Sequence, residues 1–118
     1  MAKVYGIHLI SLRLDADPGE FERYVSEQVA PLPSFPGWTL RVLKGERGDR
    51  RGQYAVLFEI DDVETRDRFA PPDGAPTPDS ERFFAEHPEV LAAMESWSQY
   101  ATPFWEGIDI ATDYVVIA

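Results

Sequence analysis

This chain has no cysteine, so neither a disulfide nor a thiolate metal site is open to it. Histidine is scarce: His8 and His87 are the only two, and no His-x-His or His-Glu-x-x-His spacing joins them. A metal centre would need both to converge with a carboxylate, so no metal and no other cofactor is expected. Basic residues are also few. Eleven Lys and Arg stand against 21 Asp and Glu, giving a net charge of −10, which disfavours a nucleic-acid backbone as partner. No apolar run reaches the roughly 18 residues that a membrane span needs. The run from Val4 to Leu14 is broken by His8 and Arg13 and precedes no small-residue cleavage site, so it is not expected to be a signal peptide. A cytoplasmic location is the default expectation. No Gly-x-Ser-x-Gly elbow and no phosphate-cradling glycine loop is present.

What is present is a core-forming chain. Its 118 residues, 44% of them apolar, predict one domain over 1–118. The centre of the pattern is residues 38–60. Two β-prone runs, Trp38 to Lys44 and Gln53 to Ile60, flank the charged, glycine-rich segment Gly45 to Gly52, which is a hairpin signal. Around its tip lie Arg41, Lys44, Arg47, Arg50 and Arg51, beside only Glu46 and Asp49. Residues 41–53 carry +3 and the rest of the chain −13. Two readings stand: a solvated tip with weak cross-strand ion pairs, or a docking patch for an acidic surface, another copy of this chain included.

Val4 to Leu14 reads as a first strand, apolar on both faces. Asp17, Pro18 and Glu20 open a helix as cap, first residue and capping-box partner, and Phe21, Tyr24, Val25 and Val29 form its apolar stripe. Pro31, Pro33 and Pro36 end it. After the hairpin, Asp61 and Glu64 predict a short helix to about Phe69. The segment Pro71 to Pro78 reads as an exposed, semi-rigid loop. Asp79 or Ser80 is the expected cap of the next helical piece, which Pro88 splits before a second piece running through Trp97 to Ala101. Ile108 to Ile117 is the last predicted strand. The order is β-α-β-β-α-β, and it predicts an α+β fold: one four-stranded antiparallel sheet with its helices on a single face.

Helices on one side leave the other side open. Strand one is apolar on both faces, and strand three sets Ala55 and Leu57 against Tyr54, Val56, Phe58 and Ile60. An exposed apolar sheet face of several hundred Å2 is rare on a soluble monomer. The economical cover is a second copy, sheet against sheet about a two-fold axis.

On this order, length and two-faced pattern the chain resembles the dimeric α/β-barrel superfamily, which includes antibiotic-biosynthesis-monooxygenase-like, stress-responsive and heme-degrading proteins. The resemblance spans nearly the whole chain. It implies a ferredoxin-like subunit, a homodimer, and a small, largely apolar ligand pocket, with cofactor-independent monooxygenase-like chemistry as the activity it suggests. Heme-degrading members rely on an asparagine, a tryptophan and a histidine, and this sequence has no asparagine. The topology also serves RNA-recognition domains. Residues 51–58 have the outline of their strand-three motif, but Gln53 and Ala55 stand where bases would stack on aromatics.

The candidate site follows from these patterns. His8, among apolar neighbours, is either a satisfied core histidine or a pocket acid or base. Tyr54 is the second catalytic candidate, as a hydrogen-bonding wall. Trp38, Phe58, Trp97 and Trp105 are the expected apolar lining, the alternative being plain core. Arg41 is expected to meet an anionic ligand if its strand face points inward. His87, before Pro88, reads first as a residue at a helix junction. The rival to a small-molecule site is a non-catalytic interaction or structural homodimer.

Overall fold

The computed structural model describes residues 2–103 and 111–118. Four strands form one sheet: β1 (Val4–Ile10), β2 (Trp38–Lys44), β3 (Tyr54–Ile60) and β4 (Ala111–Val115). Their order is β2-β3-β1-β4 and every neighbouring pair is antiparallel. The helical segments are α1 (Pro18–Tyr24), α2 (Val63–Phe69), α3 (Pro78–Glu86) and α4 (Pro88–Trp97). The expected α+β order is therefore observed.

β1 is shorter than its apolar run predicts. Ile10 pairs with Tyr54, the first residue of β3, so the ladder has no partner strand beyond it. Residues past Ile10 turn to another segment instead: Leu12 bridges Ala101, and the Thr102 amide donates to the Ser11 carbonyl at 3.0 Å. For the last strand, Ala111–Val115 is strand, and 108–110 lie outside the described residues.

α1 starts as expected. Asp17 caps it by accepting from the Glu20 amide at 2.9 Å, and Pro18 occupies its first turn. It then widens into a π-turn over Val25–Val29, with the Ala30 amide donating to the Val25 carbonyl at 2.8 Å. Such one-residue insertions often mark sites. Two caps differ from expectation. Asp62 rather than Asp61 caps α2, because its carboxylate reaches the Thr65 amide three residues on, at 2.7 Å. Thr77 rather than Asp79 or Ser80 caps α3, exchanging bonds with Ser80 in a capping box, both at 3.0 Å. Pro88 does split the helical pattern: His87, at φ −130° and ψ 66°, leaves the helical region and joins α3 to α4.

The core lies between the sheet and the helices. Val4, Ile10, Tyr54, Val56 and Ile60 are buried from the sheet; Phe21 and Tyr24 from α1, Phe69 from α2, Phe83 from α3 and Trp97 from α4 meet them. These five, and the buried Gly6, have even numbers on β1 or β3, so they share one face, as the pairings Val4↔Ile60 and His8↔Val56 require. The opposite face carries Tyr5, Ile7 and Leu9, Ala55 and Leu57, and Leu43, none of them buried. It is apolar at its centre, as the sequence pattern predicts.

Candidate functional site

The helix face of the sheet does not close completely on the helices. A cavity of about 830 Å3 lies between them. Each wall comes from a different element. β1 contributes His8, β2 Trp38 and Leu40, β3 Phe58 and Ile60, and β4 Asp113. The π-turn and the proline-stiffened link after it add Val29, Ala30, Leu32, Pro33 and Phe35. α2 brings Arg66, α3 Phe83 and Phe84, and α4 Val90, Met94 and Trp97. Ala70, Pro71 and Pro72 also line it, so the proline loop is a wall at its start and exposed from Pro72 to Pro76.

Aromatic rings dominate. Phe35 is the hub of one cluster: it stacks on Phe69 at 4.6 Å between centroids and meets Trp38 and Phe83 edge-on at 5.2 and 4.7 Å. Trp38 meets Phe58 edge-on at 5.4 Å, and Phe58 meets His8 at the same distance. The polar edges of both tryptophans are engaged. The Trp38 indole N–H donates to the Thr65 carbonyl at 3.4 Å and that of Trp97 to the Thr102 carbonyl at 3.0 Å. What they offer the cavity is ring surface.

One corner is polar. His8 and Asp113 both sit beside Gly6, which pairs directly with Asp113 across the β1–β4 ladder. A Cβ on Gly6 would fall 2.7 Å from Asp113 Oδ1 and 3.7 Å from His8 Nε2, so the bare glycine is what lets the carboxylate turn in over β1. Asp113 Oδ2 accepts from Arg66 Nη1 at 3.1 Å, and Arg66 Nε also donates to Asp67 at 3.1 Å. Burial works against the Arg66 charge, but the two carboxylates outweigh it and raise the guanidinium pKa. The arrangement can hold a flat apolar body and address one polar group on it.

The structure gathers four of the expected residues, His8, Trp38, Phe58 and Trp97, around this cavity. Two are elsewhere. Arg41 pairs with Leu57 and so points to the open face, not inward; the condition set for its meeting a ligand is not met. Tyr54 shares the inward face but lies at the far end of β3, over a separate hollow of about 200 Å3, where its hydroxyl donates to Glu22 at 2.6 Å. Trp105 lies outside the described residues. His87 packs on Phe83 at 4.7 Å and contacts Glu89 at 3.2 Å, in keeping with a helix-junction residue. Sequence reasoning missed Gly6, Arg66 and Asp113. The available signal was Asp113 itself, a carboxylate between Ala111 and Val115 on a face that helices cover. Among the described residues no three His, Asp or Glu converge as a metal site would need, and no helix is long and apolar enough to cross a membrane.

No protein-family model and no curated protein matches this sequence. Among solved structures, SnoaB, a cofactor-independent oxygenase from Streptomyces nogalater, in a mutant form, matches over 98% of this chain and 92% of its own, with a TM-score of 0.51 and 14% identity. The chain has a ferredoxin-like fold. A second SnoaB structure covers 100% of this ferredoxin-like chain and 94% of its own at a TM-score of 0.50 and 14% identity. A dimeric protein of unknown function with a ferredoxin-like fold from Bacteroides fragilis aligns over 97% of this chain and 96% of its own at 17% identity and a TM-score of 0.47. At such identities the likeness speaks for the fold alone, and the ferredoxin-like subunit that the resemblance implies is borne out.

Proposed function

We propose that this protein binds a small, flat, largely apolar molecule in the cavity between sheet and helices, and that it does so as a homodimer. One observation carries the reading: a space of about 830 Å3 walled by Phe35, Trp38, Phe58, Phe83, Phe84 and Trp97, with a single polar corner at His8, Arg66 and Asp113. A pocket of this size fits a molecule of two or three fused rings. The homodimer is supported by the apolar face that no buried core residue occupies.

Cofactor-independent oxygenase chemistry is the finer form of this reading, supported by the shared fold with SnoaB. An oxygenase without a cofactor draws its electrons from the substrate, and removal of a substrate proton is the step side chains can assist. His8 and Asp113 are the groups positioned for it. Tyr54, bonded to Glu22 outside the cavity, is not assigned a part. The rival is a homodimer with no ligand and no chemistry.

Thermal unfolding against a panel of two- and three-ring aromatics separates the two, because a ligand that prefers the folded chain raises its melting temperature by mass action. A concentration-dependent rise is expected, lost when Phe58→Ala and Trp38→Ala remove two walls. No rise with any compound would favour the rival. Oxygen consumption with the compounds that bind then tests the finer reading.

A further inference from the structure

The polar corner has a sign, and it is not the one a lone arginine would suggest. Among the described residues Arg66 is the only Lys or Arg lining the cavity, and two carboxylates share its charge. Its Nε is taken by Asp67 and its Nη1 by Asp113, each at 3.1 Å. Asp67 holds the guanidinium from outside the cavity lining; with it counted, the Arg66–Asp67–Asp113 cluster has one cation against two anions and is net negative. The two oxygens of Asp113 are also not equivalent. Oδ2 is held by Arg66, while Oδ1 stands 2.7 Å from the position a Gly6 Cβ would take, on the strand that carries His8. The guanidinium thus fixes the carboxylate, and the missing Cβ gives it room on the cavity side of β1.

We infer that Asp113 selects the ligand: the site takes a planar molecule that presents an O–H or N–H donor to this carboxylate, and it rejects a planar carboxylic acid of the same size. An anion brought to this corner meets the like charge of Asp113 and offers its Oδ1 no donor, while Oδ2 keeps Arg66. A hydroxyl or amine supplies one proton to a charged acceptor, the stronger kind of neutral-to-ion hydrogen bond. Arg66 is a positioning residue here, since it acts on the ligand through Asp113.

This inference rests on the proposed cavity, and three probes on one scaffold separate them. Naphthalene, 2-naphthol and 2-naphthoate are titrated at neutral pH by tryptophan fluorescence quenching against the unaltered chain and Asp113→Asn. The amide keeps the shape of the carboxylate and removes its charge, and β4 holds Asp113 near the surface, so the variant is expected to fold. With the unaltered chain 2-naphthol binds about tenfold or more tighter than 2-naphthoate, the scale of one hydrogen bond to a charged group. In Asp113→Asn the preference collapses to about threefold or less. Equal binding of naphthol and naphthoate, or a preference that survives in Asp113→Asn, overturns the inference and leaves the cavity reading standing. If none of the three binds, naphthalene included, the cavity reading falls and this inference with it.

Discussion

At the scale of single residues, strand parity and position decided which candidates reached the cavity. His8, Trp38 and Phe58 were readable because each sits on the covered face of its strand, and by register Phe58 stands two residues from the level of each of the other two. Arg41 failed on parity. Tyr54 failed on distance: four residues before Phe58 is about 13 Å along a strand. Neither limit can be read without knowing register. Tyr54 serves the fold instead. Burial, with its bond to Glu22, pushes its phenol up to about 12, and burial beside Tyr100 does the same for Tyr24, whose hydroxyl donates to the Ala93 carbonyl at 2.6 Å. Both groups are stabilised protonated. Between pH 10 and 12 the unfolded chain sheds these protons while the folded chain keeps them, so stability is full below 10 and falls as pH rises. Urea midpoints at pH 8, 10 and 11 should drop for the unaltered chain and drop less for the Tyr24→Phe, Tyr54→Phe double variant. Parallel profiles would remove the tyrosines from the account.

At the scale of elements, types were legible and ends were not. The hairpin, the split at Pro88 and the start of α1 follow from local chemistry, so the sequence pattern sufficed for them. β1 ends where β3 gives out, and the two helix caps shift because a different side chain reaches the right amide. These are tertiary outcomes. The π-turn at Val25–Val29 had no local signal, yet Val29 and the Ala30 that follows it stand in the cavity wall. The hairpin tip makes a sharper case. The Gly45 amide donates to the Gln53 carbonyl at 2.7 Å, and its carbonyl accepts from Gly52 at 2.8 Å. A Cβ on Gly45 would fall 2.0 Å from the Arg50 carbonyl oxygen, which is backbone and cannot step aside alone. Gly45→Ala must therefore open the tip, at about 1–3 kcal/mol by analogy with other forced backbone shifts. Glu46→Ala, on the same exposed tip, should stay within about 0.5 kcal/mol. Denaturant unfolding of the pair measures this, and equal stabilities would mean the tip is not under the constraint described.

At the scale of the whole molecule, the sheet has one face packed by helices around the cavity and one face built from Tyr5, Ile7, Leu9, Leu43, Ala55 and Leu57. Period-two alternation made this legible from sequence alone, because a strand that alternates apolar with apolar must be covered twice. Polar groups stand nearer the rim, Arg41 and Thr39 on β2 and Glu59 on β3. A two-fold partner would set apolar centre on apolar centre and leave those charges at the edge, the usual anatomy of a stable interface. It would also double a charge of −10, so the association must come from the face itself and not from long-range attraction. The chain should accordingly sediment as a dimer at micromolar concentration, and added salt should not weaken it, since salt screens only the repulsion. Leu57→Lys places a charge at the centre of the face in each subunit and should yield monomers whose far-ultraviolet circular dichroism is unchanged, since Leu57 takes no part in the buried core. A monomeric unaltered chain, or a Leu57→Lys dimer, would mean that this face is wet or covered by something other than a copy of itself.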